Sequence, residues 1–476
     1  MEKVVGRNIE KALLQEIVES GDAELIAVYG RRRVGKTFLI RNSFEKQLLF
    51  EFSGIHNASL DQQLKNFGQA LSKAAKLSLA EPGTWMQAFD MLTDYLTPLI
   101  KRQRKVIFFD EFPWIHTPRS GFLQAFENFW NTWASRQKNL VVVICGSAAA
   151  WMTQKVINNR GGLHNRVTRR IRLLPFTIGE TATFLKERAI NLDPYQVLQL
   201  YMVMGGIPHY LKEVRIGESA IGAIDRICFT KDGLLYSEFK NLFHSLFDQA
   251  EDHIKVIKAL ARKGAGLNRN EIIDICKLKS GGGTTQLLEE LTESGFITSY
   301  IPFDRTAKDN IYKLSDEYSH FYLKFIEGSK FHGRGTWVRF STGSSWKSWS
   351  GFAFESVCMK HILQLKKALG IEGVHTEASM WRYRPQKGEQ GAQIDLLIDR
   401  QDLCINICEM KFSINEYEVT KSYAKELETK LKVFRSQTAT KKTLFLTMIT
   451  THGVRNLQSY PGLIQSEITM DKLFKE

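Results

Sequence analysis

Residues 30–37, with the sequence GRRRVGKT, match GxxxxGK[ST], the pattern of a loop that wraps a phosphate chain. Successive backbone N–H groups in such a loop point at the phosphates, and the following helix N-terminus adds its dipole. Lys36 would reach the β- and γ-phosphates, and the Thr37 hydroxyl would bind Mg²⁺. A plain basic glycine turn is the alternative, but a strand-like run precedes the motif and a helical run follows it. The predicted nucleotide contacts in this segment are Gly30, Arg31, Arg32, Arg33, Val34, Gly35, Lys36, Thr37 and Phe38.

Polar side chains also follow two other strand-like runs in the first third of the chain. VIFFDEF ends with Asp110 and Glu111, and VVVICGS ends with Ser147. Asp110 would hold the water shell of Mg²⁺, while Glu111 would polarise an attacking water. Ser147 would read the γ-phosphate, and an ordinary loop serine is the alternative. Together with the glycine loop, these residues predict a site that hydrolyses a nucleoside triphosphate.

A second cluster lies near the carboxyl terminus, where Asp395, Glu409 and Lys411 form the pattern D-x13-E-x-K. Glu409 and Lys411 are two residues apart on a strand, so their side chains point to the same face. Two carboxylates at one end of a hairpin can hold Mg²⁺, and a lysine can steady a metal-bound hydroxide. Glu355, in a preceding amphipathic helix, would contribute through water. A solvated salt-bridging face is the alternative for this cluster.

Short β-branched and aromatic runs alternate with helical patterns in the first third, which predicts a parallel sheet covered by helices on both faces. The next part is mainly helical, and residues 253–326 follow the helix–helix–helix–hairpin order of a winged helix-turn-helix. A Gly/Ser/Trp-rich stretch at 333–351 is interpreted as a linker or an irregular connection. The predicted fold class is therefore α/β, followed by a final α+β unit. The predicted domains are a P-loop core at 1–176, a helical lid at 177–248, a winged helix at 249–330 and the final domain at 331–476.

The charge balance favours a polyanionic partner such as DNA. Sixty-five Lys plus Arg against 51 Asp plus Glu give 65 − 51 = +14, and basic surfaces gain affinity from counterion release. Five basic residues flank the helices of the winged-helix segment: Arg262, Lys263, Arg269, Lys277 and Lys279. A solvated face or a protein–protein spacer is the alternative for these five residues.

The cysteines and the apolar runs indicate the compartment. Six scattered cysteines show no metal-binding spacing and suit a reducing cytosol. No apolar run approaches the ~20 residues that cross a bilayer, and the acidic, amphipathic start is unlike a signal peptide. The sequence thus predicts a soluble cytoplasmic protein with no membrane contact.

Five motifs in order, GRNIE at 6–10, GRRRVGKT, FFDEF, ICGS and GGIPHYL at 205–211, resemble the archaeal-type ATPase family within the AAA+/STAND group. The resemblance covers residues 1 to about 330. It implies ATP as the nucleotide, a catalytic Glu111, a sensor Ser147 and a helical lid that carries GGIPHYL. Gly6, Arg7 and Glu10 match the box that would lie near the nucleotide.

The resemblance also implies an arginine finger after the sensor strand, for which Arg166 is the best match and Arg160 and Arg169 are rivals. A finger that acts in trans would require a homo-oligomer, while a plain basic surface loop is the alternative. This loop reads LHNR instead of the glycine-containing version expected from the resemblance.

The carboxyl-terminal cluster, with its Glu-bearing helix and the IDLLI and ICEMKFS strands, resembles the PD-(D/E)xK nuclease fold. Two main functions follow from the whole sequence. One is an ATPase that couples nucleotide state to DNA binding or metal-dependent DNA cleavage. The other is a non-cleaving ATP-dependent switch, such as a regulator or a mobile-element accessory protein, that binds DNA or a protein. A signalling ATPase with an acidic protein partner is a third hypothesis.

Overall fold

The computed structural model describes residues 3–101, 103–158, 161, 163, 165–247, 249–385, 390–460 and 462–475. The chain forms two compact units, one of residues 1–175 with 293–295 and the other of residues 176–292 with 296–476. Within the described part of the chain, every helix is too short or too polar to span a membrane.

The first unit contains a five-stranded parallel sheet in the order β2-β3-β4-β1-β5. The α/β fold with a parallel sheet is therefore confirmed. The strands are β1 Glu24–Tyr29, β2 Leu48–Ser53, β3 Lys105–Asp110, β4 Leu140–Gly146 and β5 Arg169–Arg172. The helices are α1 Asn8–Glu19, α2 Lys36–Ser43, α3 Leu60–Ala75, α4 Trp85–Leu96, α5 Phe112–Ile115, α6 Phe122–Thr132 and α7 Ala149–Met152.

Both faces of this sheet are buried, as expected for parallel strands. On β3, Ile107 and Phe109 pack in one aromatic-rich core cluster with residues of α3, α4 and α6. The interleaved Val106 and Phe108 are equally inaccessible to solvent. A strand that is apolar on both sides leaves only its ends for polar residues, so the functional side chains concentrate where the strands stop.

Helices dominate the start of the second unit. They are α8 Ile178–Glu187, α9 Pro194–Met204, α10 Pro208–Leu211, α11 Ala220–Ile224 and α12 Glu238–His244. Gly206, in the GGIPHYL motif, lies so close to the backbone that an added Cβ would be 1.9 Å from the Phe176 carbonyl oxygen. The Phe176 N–H donates to the Gly206 carbonyl at 2.7 Å. The glycine at this position is therefore required for close backbone packing.

Three helices and a small antiparallel sheet follow in the second unit. The elements are α13 Ala250–Ala261, β6 Leu267–Asn268, α14 Arg269–Cys276, α15 Gly282–Glu293, β7 Ile297–Tyr300 and β8 Ile311–Leu314. The strand order is β6-β8-β7. Asn268 caps α14 in a reciprocal capping box with Glu271, which fixes where this helix begins.

The last part of the chain is a mixed five-stranded sheet in the order β13-β12-β11-β10-β9, with helices before and within it. Its elements are α16 Glu317–Phe321, α17 Thr336–Phe340, α18 Ser344–Lys360, α19 Ile362–Ala368, β9 Thr376–Tyr383, β10 Ala392–Arg400, β11 Cys404–Lys411, α20 Lys421–Thr438, β12 Thr443–Thr450 and β13 Ser466–Thr469. The β9–β10 and β10–β11 pairs are antiparallel, whereas β11–β12 and β12–β13 are parallel.

The interpretation of residues 333–351 as a linker was wrong. This stretch contains α17 and the start of α18, and its tryptophans are buried. Trp337 stacks on Phe229 with 5.8 Å between ring centroids, and Trp346 meets Trp337 edge-on at 5.2 Å. The glycines and serines suggested irregular chain, but burial of the large indole rings outweighs the low helix propensity of these small residues.

Candidate functional site

The GRRRVGKT loop connects β1 to α2 at the carboxyl edge of the parallel sheet. Gly30 and Gly35 have φ values of 143° and 93°, a region in which side chains are strained. A Cβ on Gly30 would also lie 2.3 Å from the Leu173 carbonyl oxygen. Gly35 is the N-cap of α2, so the helix N-terminus opens directly into the loop. The loop therefore has the backbone geometry of an anion cradle.

Lys36 is buried at the first turn of α2, with 6% of its surface exposed. Its ammonium donates hydrogen bonds of 2.9 Å to the carbonyl oxygens of Gly30 and Arg31. A buried ammonium needs such acceptors because desolvation of the charge is costly. These bonds hold the positive charge against the loop whose N–H groups attract phosphate.

Thr37 and Asp110 join the loop to the acidic strand. The Thr37 Oγ1 donates to Asp110 Oδ2 at 2.8 Å, although 73 residues separate the two in sequence. Burial raises the pKa of the Asp110 carboxyl, while the hydrogen bond from Thr37 opposes that effect. An interaction with the Cys145 thiol also acts to lower the pKa of Asp110. A nearby cation would favour the charged form of this buried carboxylate.

Glu111 and Ser147 meet across the ends of β3 and β4. Ser147 donates two hydrogen bonds to Glu111 Oε2, from its hydroxyl at 2.7 Å and from its backbone N–H at 3.2 Å. Glu111 has a φ of 45°, an uncommon conformation outside glycine. These contacts fix one carboxylate oxygen of Glu111 beside the end of β4.

Gly6 and Arg7 precede α1, and both have positive φ values. The Arg7 guanidinium is buried and donates to the Val34 carbonyl oxygen of the loop at 3.3 Å. It also lies 3.9 Å from Glu10 Oε1. The structure thus brings the GRNIE segment into contact with the phosphate loop.

The other loop residues that were predicted to contact the nucleotide differ in solvent exposure. Arg31 and Val34 are buried, whereas Arg32 and Arg33 are half-buried and Phe38 is exposed at the first turn of α2. The Arg32 guanidinium lies 5.8 Å from the centroid of the Trp114 ring, a cation–π distance.

Of the arginine-finger candidates, Arg166 and Arg169 are both exposed. The Arg166 backbone N–H donates to the Leu163 carbonyl at 3.1 Å. Arg160 lies outside the described residues. Nothing in the described chain distinguishes one finger candidate from the other.

Thr37 and Asp110 supply a hydroxyl and a carboxylate oxygen, the hard donors that Mg²⁺ prefers, so these residues fit the metal. Within the described residues, no group of three or more His, Cys, Asp or Glu side chains could hold a metal ion. Magnesium at a nucleotide site is normally held by one or two protein ligands together with substrate phosphates. The donor set here matches that arrangement.

The parallel sheet, the glycine loop at the helix N-terminus and the acidic strand end define a P-loop nucleotide-binding fold. Residues 5–214 match the family model of an ATPase domain predominantly from Archaea. The matched residues include the phosphate loop, Asp110, Glu111 and Ser147, so the part of the chain that carries this site is similar to that ATPase family.

Three further similarities cover longer stretches of the chain. The uncharacterized protein MJECL04 of Methanocaldococcus jannaschii is 24% identical over 396 residues, which is 83% of each chain. The solved Walker-type ATPase PABY2304 of Pyrococcus abyssi is 19% identical with a TM-score of 0.49, over 67% of this chain and 96% of that chain. The ORC2 protein of Aeropyrum pernix is 13% identical with a TM-score of 0.43, over 68% and 93%.

The carboxyl-terminal cluster also comes together. The β10–β11 register pairs Leu396 with Cys408, so Asp395 and Glu409 occupy the next positions on neighbouring strands. Glu355 of α18, Asp395, Glu409 and Lys411 line one cavity of about 280 Å³. Burial raises the pKa of Glu355 to about 8, and the charge of Asp395 adds to this effect.

Sequence reasoning missed several partners of this cluster. Lys430, on α20, forms an ion pair with Glu409 Oε1, and the Tyr423 hydroxyl donates to Glu409 Oε2 at 2.9 Å. Gln393 donates to Asp395 Oδ1 at 2.7 Å. A lysine two turns into an amphipathic helix carries no sequence signal, because only the packing of α20 on the sheet directs it to Glu409. Gln393 could have been suspected, since residues two apart on a strand share a face.

Proposed function

We propose that the chain binds ATP with Mg²⁺ at the carboxyl edge of its parallel sheet and hydrolyses it there. The observation that carries this proposal is the convergence of three strand ends on one edge. The loop after β1, Asp110 at the end of β3 and Ser147 after β4 are linked by the Thr37–Asp110 and Ser147–Glu111 hydrogen bonds. The carboxyl ends of parallel strands are the usual ligand-binding edge.

Each residue has a role in this proposal. The loop N–H groups and the Lys36 ammonium bind the phosphates, and the Thr37 hydroxyl with Asp110 holds Mg²⁺, which neutralises charge on the phosphates when bound. Glu111 orients and polarises the attacking water, and Ser147 fixes the direction of the Glu111 carboxylate. Arg7 supports the loop through Val34. After hydrolysis, the loss of the γ-phosphate contact to Lys36 drives an opening motion.

Glu111→Gln tests the proposed base, since an amide keeps the size and the acceptor oxygen but cannot take a proton. Nucleotide binding should persist while turnover falls by about 10²–10⁴-fold. Exposed Glu45→Gln, on the same unit, is the matched control. A hydrolysis rate that is unchanged in Glu111→Gln would refute the assignment of the base.

The nucleotide state is proposed to control DNA binding through the three-helix and antiparallel-strand segment of residues 249–330, which we interpret as a winged helix. Lys277 and Lys279 are exposed just before α15, where the polar N-terminal part of a recognition helix meets DNA. Duplex binding that weakens with salt is expected.

Metal-dependent DNA cleavage is a second candidate function, favoured by the shared cavity of Glu355, Asp395, Glu409 and Lys411. Asp395 and Glu409 supply carboxylate oxygens for Mg²⁺, and Lys411 would steady a hydroxide. The ion pair of Lys430 with Glu409 favours instead the non-cleaving switch, because it engages one of these carboxylates.

Plasmid nicking with Mg²⁺ or Mn²⁺ separates these two functions. Nicking that is lost in Lys411→Ala but retained in Lys36→Ala and in the exposed control Lys432→Ala would support cleavage. Intact plasmid with every metal, together with ATP hydrolysis, would support the switch.

A further inference from the structure

A groove of about 810 Å³ lies in the second unit, between the loop joining β7 to β8 and the β9–β10 edge of the mixed sheet. Its lining comes from three parts of the chain: residues 265–274 at β6 and α14, the β7–β8 loop, and the β9–β10 pair. One wall carries Arg305 and Lys308, and the other carries Arg382 and Arg384. Four cations therefore face a single depression from two sides.

The β7–β8 loop, which forms one side of the groove, is attached to β9. The Phe303 N–H donates to the Met380 carbonyl at 2.8 Å. The Phe303 ring packs on Phe434 of α20, with 5.4 Å between centroids. A backbone hydrogen bond and an aromatic contact on the same residue hold the loop against the edge strand.

The four cations are not engaged in ion pairs with the described residues of the protein. Arg305, Lys308, Arg382 and Arg384 are all exposed, and none forms an ion pair of 4.0 Å or less with another residue that the structure describes. Structural arginines usually satisfy their donors with carboxylates or carbonyls. Cations that remain available on both walls of one groove are instead typical of a surface for a polyanion.

Four acids also line the groove, Glu271, Asp274, Asp309 and Asp395, and Glu271 and Asp309 are engaged in local structure. Glu271 accepts the Asn268 N–H at 2.8 Å in the capping box of α14. Asp309 accepts both the N–H and the hydroxyl of Thr306, each at 3.1 Å. These bonds orient the carboxylates toward backbone donors, so they oppose the basic walls less than free acids would.

One end of the groove reaches the carboxyl-terminal cluster. Asp395 and Gln393 line both the groove and the cavity that contains Glu409 and Lys411. Lys313 of β8 also lies on the groove, with its Nζ 3.9 Å from Asp395 Oδ1. The basic walls thus lead continuously from the β7–β8 loop to the carboxylate pair.

We propose that this groove holds the sugar–phosphate backbone of DNA, with Arg305, Lys308, Arg382 and Arg384 on its phosphates and the strand directed toward the carboxyl-terminal cavity. The proposal rests on the proposed function, because it assigns the DNA-contacting surface of that same protein. Arginine and lysine bind phosphate through charge-assisted hydrogen bonds, and each neutralised phosphate releases counterions.

Fluorescence anisotropy with labelled DNA tests this groove in the full-length chain, with single-stranded and duplex DNA as separate arms. The two variants are Arg382→Glu/Arg384→Glu and Arg305→Glu/Lys308→Glu, one for each wall. The matched control is Lys432→Glu/Arg435→Glu, two exposed cations of α20 with the same charge change. Thermal unfolding of each variant verifies that the fold is retained.

Both groove variants should bind DNA at least about tenfold more weakly. The slope of a plot of log Kd against log[salt] should also fall by about 1–2 for each variant. The control should stay within about twofold of the wild type. The arm that shows the larger loss identifies the DNA form that the groove holds.

Wild-type affinity in both groove variants would overturn the proposed groove. If only Lys277→Glu/Lys279→Glu then weakened binding, DNA would instead run along α14 and α15, and the proposed function would stand. A wild-type chain that binds neither DNA form would overturn the groove and the DNA part of the proposed function together, while ATP hydrolysis would stay as a separate readout.

Discussion

Ser147 donates to the Glu111 carboxylate from both its hydroxyl and its backbone N–H, at 2.7 and 3.2 Å. The two residues follow neighbouring strands, so the sheet itself sets their separation. Two donors on one carboxylate oxygen leave the other oxygen of Glu111 to contact a water. The proposed base is thus oriented by the residue that was predicted to read the γ-phosphate.

Ser147→Ala should lower kcat by about tenfold and leave KM for ATP nearly unchanged. The backbone N–H still contacts Glu111, but the stronger hydroxyl bond is lost. Ser147→Thr keeps a hydroxyl and should restore most of the rate. Steady-state ATPase kinetics would measure both. A KM that rises by the same factor as kcat falls would indicate that Ser147 acts on phosphate instead of on Glu111.

Lys36→Ala should reduce ATP affinity by at least about 100-fold, because the ammonium places a buried positive charge against the loop that binds the phosphates. Isothermal calorimetry with ATP would measure the loss, and exposed Lys46→Ala on the same unit is the control. The variant must also melt like the wild type, since Lys36 bonds the carbonyls of Gly30 and Arg31. Unchanged affinity in a folded Lys36→Ala protein would disprove the assigned phosphate site.

Asp225→Ala should destabilise the second unit by about 3 kcal/mol. The Asp225 carboxylate accepts the backbone N–H groups of Gly335 at 2.7 Å and Trp337 at 2.6 Å. Removal of this acceptor leaves two donors at a buried site. Tryptophan fluorescence during urea unfolding would report the change, with exposed Asp232→Ala as the control. Equal midpoints for the two variants would contradict this role of Asp225.

Stability should fall as the pH drops from about 6.5 toward 4, because His361 is held neutral. Burial lowers the pKa of His361 to about 4, and the charge of Lys360 adds to this effect. Its Nε2 accepts the Ile178 N–H at 3.0 Å, while Nδ1 lies 2.7 Å from the Val357 carbonyl. Protonation would turn the Nε2 acceptor into a donor that faces another N–H.

The sign follows from proton linkage: the folded state binds fewer protons than the unfolded state between pH 4 and 6.5, so stability rises with pH in that window. Across this window, one such histidine changes the free energy of unfolding by on the order of 3 kcal/mol. Urea midpoints at pH 7 and pH 5 would show the loss. His361→Leu should be less stable at pH 7 but less dependent on pH, and an equal pH dependence in both proteins would rule His361 out as the cause.

Lys430→Met should raise the affinity of the carboxyl-terminal cavity for Mn²⁺ by about tenfold or more, because the ammonium of Lys430 competes for Glu409. Electron paramagnetic resonance of free Mn²⁺ would measure the change, and exposed Lys432→Met is the matched control. The same Mn²⁺ affinity in both variants would mean that Lys430 does not limit metal binding.

Much of the phosphate site follows from local sequence. GRRRVGKT between an apolar strand and a helical run defines both the loop and the helix that begins at Lys36, because glycine conformation and helix capping are local properties. The strand ends that carry Asp110 and Ser147 could also be identified, since fully apolar runs must stop where polar residues begin. The bounds of β3 and β4 in the structure lie within two residues of the runs VIFFDEF and VVVICGS.

Other features depend on tertiary packing. The strand order places β4 between β1 and β3, which brings Ser147 against Glu111. This order depends on which helices cover which face of the sheet. The sequence does not identify the rings that pack against the tryptophans of residues 333–351, so this stretch was interpreted as a linker. Lys430 meets Glu409, and Phe303 meets Met380, only because α20 and the β7–β8 loop dock on the mixed sheet. The sequence alone determined the chemistry of single strand ends, whereas the pairing of distant charges required the three-dimensional fold, since burial and contact are properties of the whole chain.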